Sequence, residues 1–229
     1  MQVHKLAIDA ARHSGVKHIF YSSLAFAGDG NTTSAAHVMQ AHLDTEKYLA
    51  LVAAKDPSFT YTAVRIGLYS ESFPIYTAFF DLKKPTTEIK IPHNGSGPGI
   101  AWAKRDELGN AMALLMKSYS ENPRDFEYVN KTILLSGPRD WSLQETVEAL
   151  SKAVKKPVKL VEVSVDEYAA QPQVRKGLTY GAGDMAAVWA TAFDAIREGE
   201  AAVSTPMLAK ILGREPESFD KTIVSMVLA

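Results

Sequence analysis

Three stretches of this 229-residue sequence carry side chains with chemistry to offer: Tyr21-Ser22-Ser23, the segment from His42 to Lys47, and Arg65-Ile66-Gly67-Leu68-Tyr69. A serine hydroxyl can hydrogen-bond a substrate oxygen, and a lysine ammonium can bind sugar hydroxyls or lower the pKa of a neighbour. Ser23, His42 and Lys47, with Asp44 beside them, are therefore the candidate acid-base groups. Spacing alone favours Lys47 as a solvated helix lysine paired with Asp44 three residues earlier. Tyr69, Phe73, Tyr76, Phe79 and Phe80 form a dense aromatic run that either lines a pocket or packs into a core, and spacing alone favours packing.

Other patterns exclude chemistry. Gly95-Ser96-Gly97-Pro98-Gly99 is glycine-rich, but isoleucine follows and Pro98 lacks an amide hydrogen, so a turn between strands is expected rather than a phosphate cradle. The histidines at 4, 13, 18, 37, 42 and 93 include no H-x-x-x-H pair with an adjacent glutamate. His37 and His42 would point roughly 140° apart on a helix. Neither a G-x-S-x-G elbow nor a G-x-x-x-x-G-K-[ST] loop is present. The absence of cysteine removes thiol nucleophiles, disulfides and thiolate metal sites, and no metal is expected. A net charge of −1 offers no footprint for nucleic acid or anionic membrane. No apolar run approaches the roughly 18 residues of a membrane helix, and the opening residues lack a signal-peptide core, so a cytoplasmic location is expected.

The elements that must position these residues alternate. Gln2 to His13 places Val3, Leu6, Ala7, Ala10 and Ala11 at helical spacing and stops at Ser14-Gly15. Val16 to Ser23 is an apolar run that predicts a strand covered on both faces of a parallel sheet. Ser34 to Ala54 reads as a long helix capped by Ser34, and Phe59 to Ile66 as the next strand. Further strands are expected at Glu88 to Ile91, Gly99 to Trp102, Lys131 to Leu135 and Val158 to Val163. Ser142 with Glu145 and Ser164 with Glu167 have capping-box spacing, and Thr205-Pro206 reads as a cap followed by proline at the first helical position. In open α/β sheets ligands collect beyond the carboxyl ends of strands, so the three chemical stations could face one crevice.

The wording of these stations resembles the NmrA-like family of atypical short-chain dehydrogenases/reductases. The matching text is Ala10-Ala11-Arg12-His13-Ser14-Gly15-Val16-Lys17-His18-Ile19-Phe20-Tyr21-Ser22-Ser23, then His42-Leu43-Asp44-Thr45-Glu46-Lys47 and Arg65-Ile66-Gly67-Leu68-Tyr69-Ser70-Glu71. The stretches Ala101 to Gly109, Leu134 to Arg139 and Val163 to Tyr168 continue it over nearly the whole chain.

The resemblance implies an α/β fold with an incomplete Rossmann-type parallel sheet and a smaller C-terminal α/β substrate lobe. Residues 1–85 would be the Rossmann part and residues 86–229 mostly the substrate lobe. It implies NADP or NAD as cofactor, bound by Tyr21, Ser22, Lys47, Gly67, Leu68 and Tyr69. Ser23, Lys47 and His42 would be catalytic, with Tyr69, Phe73, Tyr76 and Trp102 against substrate. The short-chain dehydrogenase tyrosine four residues before the lysine is replaced by Leu43, as is common in this atypical family, and the sequence holds no G-x-x-G-x-x-G turn for pyrophosphate. The Val16 to Ser23 strand is accordingly expected to leave an edge that a second copy, an N-terminal partner or a rearranged segment covers. The implied activity is hydride transfer to a small carbonyl or quinone. Cofactor-free lyase, isomerase or cyclase chemistry in the same cleft, or ligand binding without catalysis, remain open alternatives.

Overall fold

The computed structural model describes residues 2–180 and 183–228. In chain order its elements are α1 (Gln2–His13), β1 (His18–Leu24), α2 (Gln40–Lys55), β2 (Thr60–Ile66), α3 (Phe73–Tyr76), β3 (Glu88–Ile91), α4 (Arg105–Glu121), β4 (Lys131–Leu135) and α5 (Leu143–Val154). There follow β5 (Lys159–Glu162), α6 (Val165–Ala170), α7 (Pro172–Leu178), β6 (Thr179–Tyr180), β7 (Gly183–Asp184), α8 (Ala186–Arg197), α9 (Met207–Leu212) and α10 (Phe219–Leu228).

β1, β2 and β4 form one parallel sheet with β2 in the middle. β2 is buried along almost its whole length, as a strand with helices on both sides must be. Its alternate residues divide between two cores. Tyr61 and Ala63 pack with Ile8, Leu49 and Val52 of α1 and α2, whereas Val64 and Ile66 pack with Leu108 and Leu115 of α4 and Leu208 of α9. β1 is in register with it, Tyr21 opposite Ala63 and Ser23 opposite Arg65. Tyr21, Ser23 and Arg65 therefore all face α2.

A second parallel pair, β3–β5, packs with α5 to α8 and α10 in a core that includes Tyr168, Phe193 and Phe219 and that Phe26, Met39 and Leu43 of the first part of the chain also enter. Both predicted capping boxes are present, each serine oxygen accepting from the glutamate amide while the glutamate accepts from the serine amide. β4, from the second half of the sequence, joins the first sheet.

Several expectations give way to tertiary contacts. Ser34 does not cap α2, which starts at Gln40 after a short 3-10 turn; its hydroxyl donates to the Glu200 carboxylate instead. Gly99 to Trp102 is no strand and makes one bridge, Ile100 to Trp141. Thr205 does not cap α9, because its hydroxyl donates to Leu134 O, 2.9 Å away, and Pro206 takes the cap position. α1 buries Ile8 and leaves Val3 and Leu6 exposed, since the contacts that dock it are made by His4, Asp9 and Arg12. β1 is only half-buried over most of its length and pairs, among the described residues, with β2 alone. Gly95 and Gly97 have φ of 85° and 78°, the turn geometry expected of that segment.

Candidate functional site

A cleft of about 300 Å³ opens where β1 and β2 end. The end of β1 supplies Ser22, Ser23 and Leu24, and the chain leaving β2 supplies Ile66 to Tyr69. Ser72, Ile75 and Tyr76 form a further wall, Trp189 of α8 closes one side, and His42 enters from α2. Among the described residues no aspartate, glutamate, lysine or arginine lines it, and His42 is its one imidazole.

Gly67 is glycine for a steric reason. Its amide donates to Leu135 O at 2.7 Å, and a Cβ there would lie 2.6 Å from that oxygen. The close approach carries the chain from β2 past the end of β4 and turns Leu68 and Tyr69 into the cleft.

Beneath the cleft lies a buried ionic network. Ser23 Oγ donates to Glu46 Oε1 at 2.5 Å, while Arg65 Nε and Nη2 donate to Glu46 Oε1 and Oε2 at 3.1 and 2.8 Å. The remaining Arg65 hydrogens reach Ala27 O, Gly28 O and Asn31 O at 3.1, 3.0 and 2.7 Å. Every guanidinium hydrogen thus has an acceptor, as an arginine only 3% exposed requires. The network ties β1, α2 and β2 to the loop that follows β1.

A second polar cluster adjoins it. Tyr21 OH lies 2.9 Å from His42 Nδ1 and 3.4 Å from His4 Nδ1. His4 Nδ1 is in turn 2.8 Å from Thr45 Oγ1. Burial, reinforced by the charge on His4, lowers the His42 pKa against a weaker opposing pull from Glu46. Burial, with Glu46 adding to it, raises the Tyr21 phenol despite its hydrogen bond to Thr45. Near neutral pH both groups are uncharged.

A profile of the NmrA-like family matches residues 1–186. The chain belongs to the NmrA-like family. It is 31% identical over 216 residues to an Aspergillus flavus protein named NmrA-like family domain-containing oxidoreductase flvB, covering 93% of this chain and 63% of that one. Against quinone oxidoreductase 2 of Escherichia coli it is 30% identical over 185 residues, covering 80% of this chain and 57% of that one. The chain therefore spans less than two thirds of either relative. The structure of the Escherichia coli NADPH-dependent quinone oxidoreductase QOR2 complexed with NADPH superimposes with a TM-score of 0.73 at 26% identity, over 97% of this chain and 70% of that chain. The α/β fold with parallel sheets is that of the family.

Against this NmrA-like frame, the residues singled out in the sequence fall into two groups. Ser22, Ser23, His42, Gly67, Leu68, Tyr69 and Tyr76 meet in the cleft. Tyr21 stands just behind His42. Lys47 does not reach the cleft: it is one residue beyond Glu46, about 100° round the helix from the buried face, and is exposed. Phe73 and Trp102 belong to the core, with Trp102 stacked on Phe219, edge-on to Tyr76 and donating to Thr146 Oγ1 at 3.1 Å. Glu46 escaped the sequence reading, although its i+4 relation to His42 was a signal that both lie on one helix face. Trp189 gave no signal, being remote in sequence and brought in by α8. Among the described residues there is no group of three or more histidines or carboxylates able to hold a metal, and no helix long and apolar enough to cross a membrane.

Proposed function

We propose that the chain forms the nicotinamide- and substrate-facing part of an NAD(P)H-dependent reductase site acting on a small carbonyl or quinone. The observation that carries this reading is the position of the cleft, at the carboxyl ends of adjacent parallel strands, with apolar walls and a few convergent polar groups. Its residues fit the flat end of the cofactor: Leu24, Ile66 and Leu68 offer an apolar surface to a ring, and Ser22 a hydroxyl to its carboxamide or ribose. A bound reduced nicotinamide would supply hydride. Tyr69, Ile75, Tyr76 and Trp189 would hold a planar substrate and exclude water. His42 would donate a hydrogen bond, and then a proton, to the substrate oxygen as charge develops there. Ser23, held by Glu46, fixes the end of β1. Lys47, on the exposed side of α2, would reach only the outer part of a cofactor.

The same reading makes residues 1–85, joined by β4, the cofactor-facing lobe, and the remainder of 86–229 mostly the substrate lobe. The edge of β1 that is unpaired among the described residues, together with exposed Val3, Leu6 and Val16 in the same N-terminal segment, supports pairing with a second copy or an N-terminal partner. Calorimetric titration with NADPH and NADH tests the proposal. Binding tighter than about 100 μM, about −5.5 kcal/mol, followed by NADPH oxidation with menadione, is expected. A folded chain that binds neither nucleotide overturns it.

A further inference from the structure

The seam between α2 and α8 holds a second hollow beside the cleft. This smaller pocket, of about 170 Å³, is lined by His37 and Val38 from the 3-10 turn that leads into α2, and by Met185, Val188, Trp189 and Thr191 of α8 and its cap. Trp189 lines both hollows. On the opposite side of the seam His42 marks the cleft and His37 the smaller pocket, five residues apart, which is roughly 8 Å along turn and helix.

The polar atoms that join the walls of the smaller pocket are engaged with one another. The His37 amide donates to Thr191 Oγ1 at 3.0 Å, and that hydroxyl donates to Val188 O at 2.7 Å. These bonds pin the turn to α8 and leave the faces of Val38, Met185, Val188 and Trp189 to meet an occupant. Among the described residues no carboxylate, lysine or arginine lines the pocket. The indole that separates it from the cleft is held by packing. Its ring lies 5.7 Å from that of Tyr76 at 56°, and its Nε1 is buried with no hydrogen-bond partner among the described residues. A buried donor without an acceptor is disfavoured, and no hydrogen bond of that group has to break for the indole to turn.

We propose that the smaller pocket is a subsite for an apolar substituent of the molecule whose ring lies in the cleft, with Trp189 as the movable partition between the two. The inference rests on the reductase reading for the ring and deepens it in substrate class: a carbonyl or quinone ring that carries an aliphatic side chain. Size suits such a group, because a dry apolar cavity of about 150 Å³ accommodates benzene, about the bulk of a six-carbon chain. Chemistry suits it as well. A hydroxylated or charged substituent would lose its water and meet a threonine whose hydroxyl is already committed, whereas the polar end of the same molecule stays with Ser22 and His42 in the cleft.

Methyl-detected NMR of the 229-residue chain, labelled at methionine, valine and isoleucine, reads both hollows without any cofactor. Menadione is expected to shift the Ile75 methyls of the cleft and to leave those of Met185 and Val188 in place, whereas 2-hexyl-3-methyl-1,4-naphthoquinone is expected to shift all three residues together. Apolar burial tightens binding about fourfold per methylene before ordering costs, so the hexyl compound should bind about 10- to 50-fold more tightly than menadione. Val188→Glu, at a position 37% exposed, places a charge in the pocket and should bring the ratio of the two Kd values to about 1. In Trp189→Ala, menadione itself should reach Met185 and Val188. A hexyl compound that shifts Ile75 alone, binding of neither quinone, or a Kd ratio that Val188→Glu leaves unchanged overturns the proposal, and the wild-type spectra decide it should either variant fail to fold. Failure of the chain to bind NADPH would remove the reductase reading, and the Met185 and Val188 shifts would still judge the subsite.

Discussion

Glu46→Ala isolates what the ionic network contributes. The substitution removes the acceptor for Ser23 at 2.5 Å and for two Arg65 hydrogens at 3.1 and 2.8 Å. The guanidinium stays behind at 3% exposure with no counter-charge. Breaking a buried pair from one side typically costs about 3–5 kcal/mol, because the remaining charge keeps its desolvation penalty. Against a total stability of roughly 5–15 kcal/mol this is a large fraction. At a urea slope of about 2 kcal/mol per M, the unfolding midpoint should fall by about 2 M. Arg65→Met alone also costs stability, since it releases Ala27, Gly28 and Asn31 from the loop clamp. The double substitution Glu46→Leu with Arg65→Met should cost clearly less than the two single changes added, because no buried charge is stranded. Chemical denaturation followed by circular dichroism measures all three. A Glu46→Ala midpoint within about 0.5 M of wild type, or strict additivity in the double variant, would refute the claim that a buried, mutually dependent ion pair fixes the strand ends.

Two further outcomes follow from single sites. Gly67→Ala pushes a Cβ to 2.6 Å from Leu135 O, so it should cost about 2–3 kcal/mol and weaken cofactor binding in the same titration; a variant as stable as wild type would show that β4 yields there at no cost. His18, stacked on Tyr119 and bonded to Thr60, has its pKa pushed down to about 4 by burial. The unfolded chain therefore takes up this proton before the folded one does, so the stability His18 contributes is complete above about pH 6.5 and is lost as pH falls toward 4. Allowing for solvent screening of a half-buried ring, the loss should be about 1–2 kcal/mol. Urea melts at pH 7 and pH 4.5 should show it, and His18→Phe should flatten the difference; an equal pH dependence in the variant would sink the assignment.

What the sequence made legible was whatever depends on neighbours along the chain. The Phe59 to Ile66 stretch announced β2 as a strand, whereas β1, read as covered on both faces, is only half-buried because among the described residues it pairs with β2 alone. Both capping boxes formed because their partners are three residues apart. The failures share a cause. Ser34 and Thr205 have cap-forming side chains, yet Glu200 and Leu134 O, distant in sequence, took their hydroxyls. Trp102 was read as pocket lining, but Phe219 stacks against it from the far end of the chain. Local propensity offers a side chain a role, and tertiary competition decides whether it keeps it.

The cleft itself shows the same division at finer grain. Strand alternation sends Tyr21, Ser23 and Arg65 toward α2, and helical spacing sends His42 and Glu46 back toward them. A polar seam under the strand ends is thus written twice, once in each element, and the two patterns agree. One position along, Ser22 faces the cleft and Lys47 faces solvent, by the same periodicities. The lysine was singled out by its chemistry, but a helix assigns position by angle, and at about 100° per residue only the residue before it can meet Ser23. What the two periodicities leave open is the far wall, where Trp189 arrives on α8. On the proposed reductase reading, the His42 end of the cleft, set by β1 and α2, would do the acid-base chemistry, and the Trp189 end, set by α8 packing, would meet the substrate.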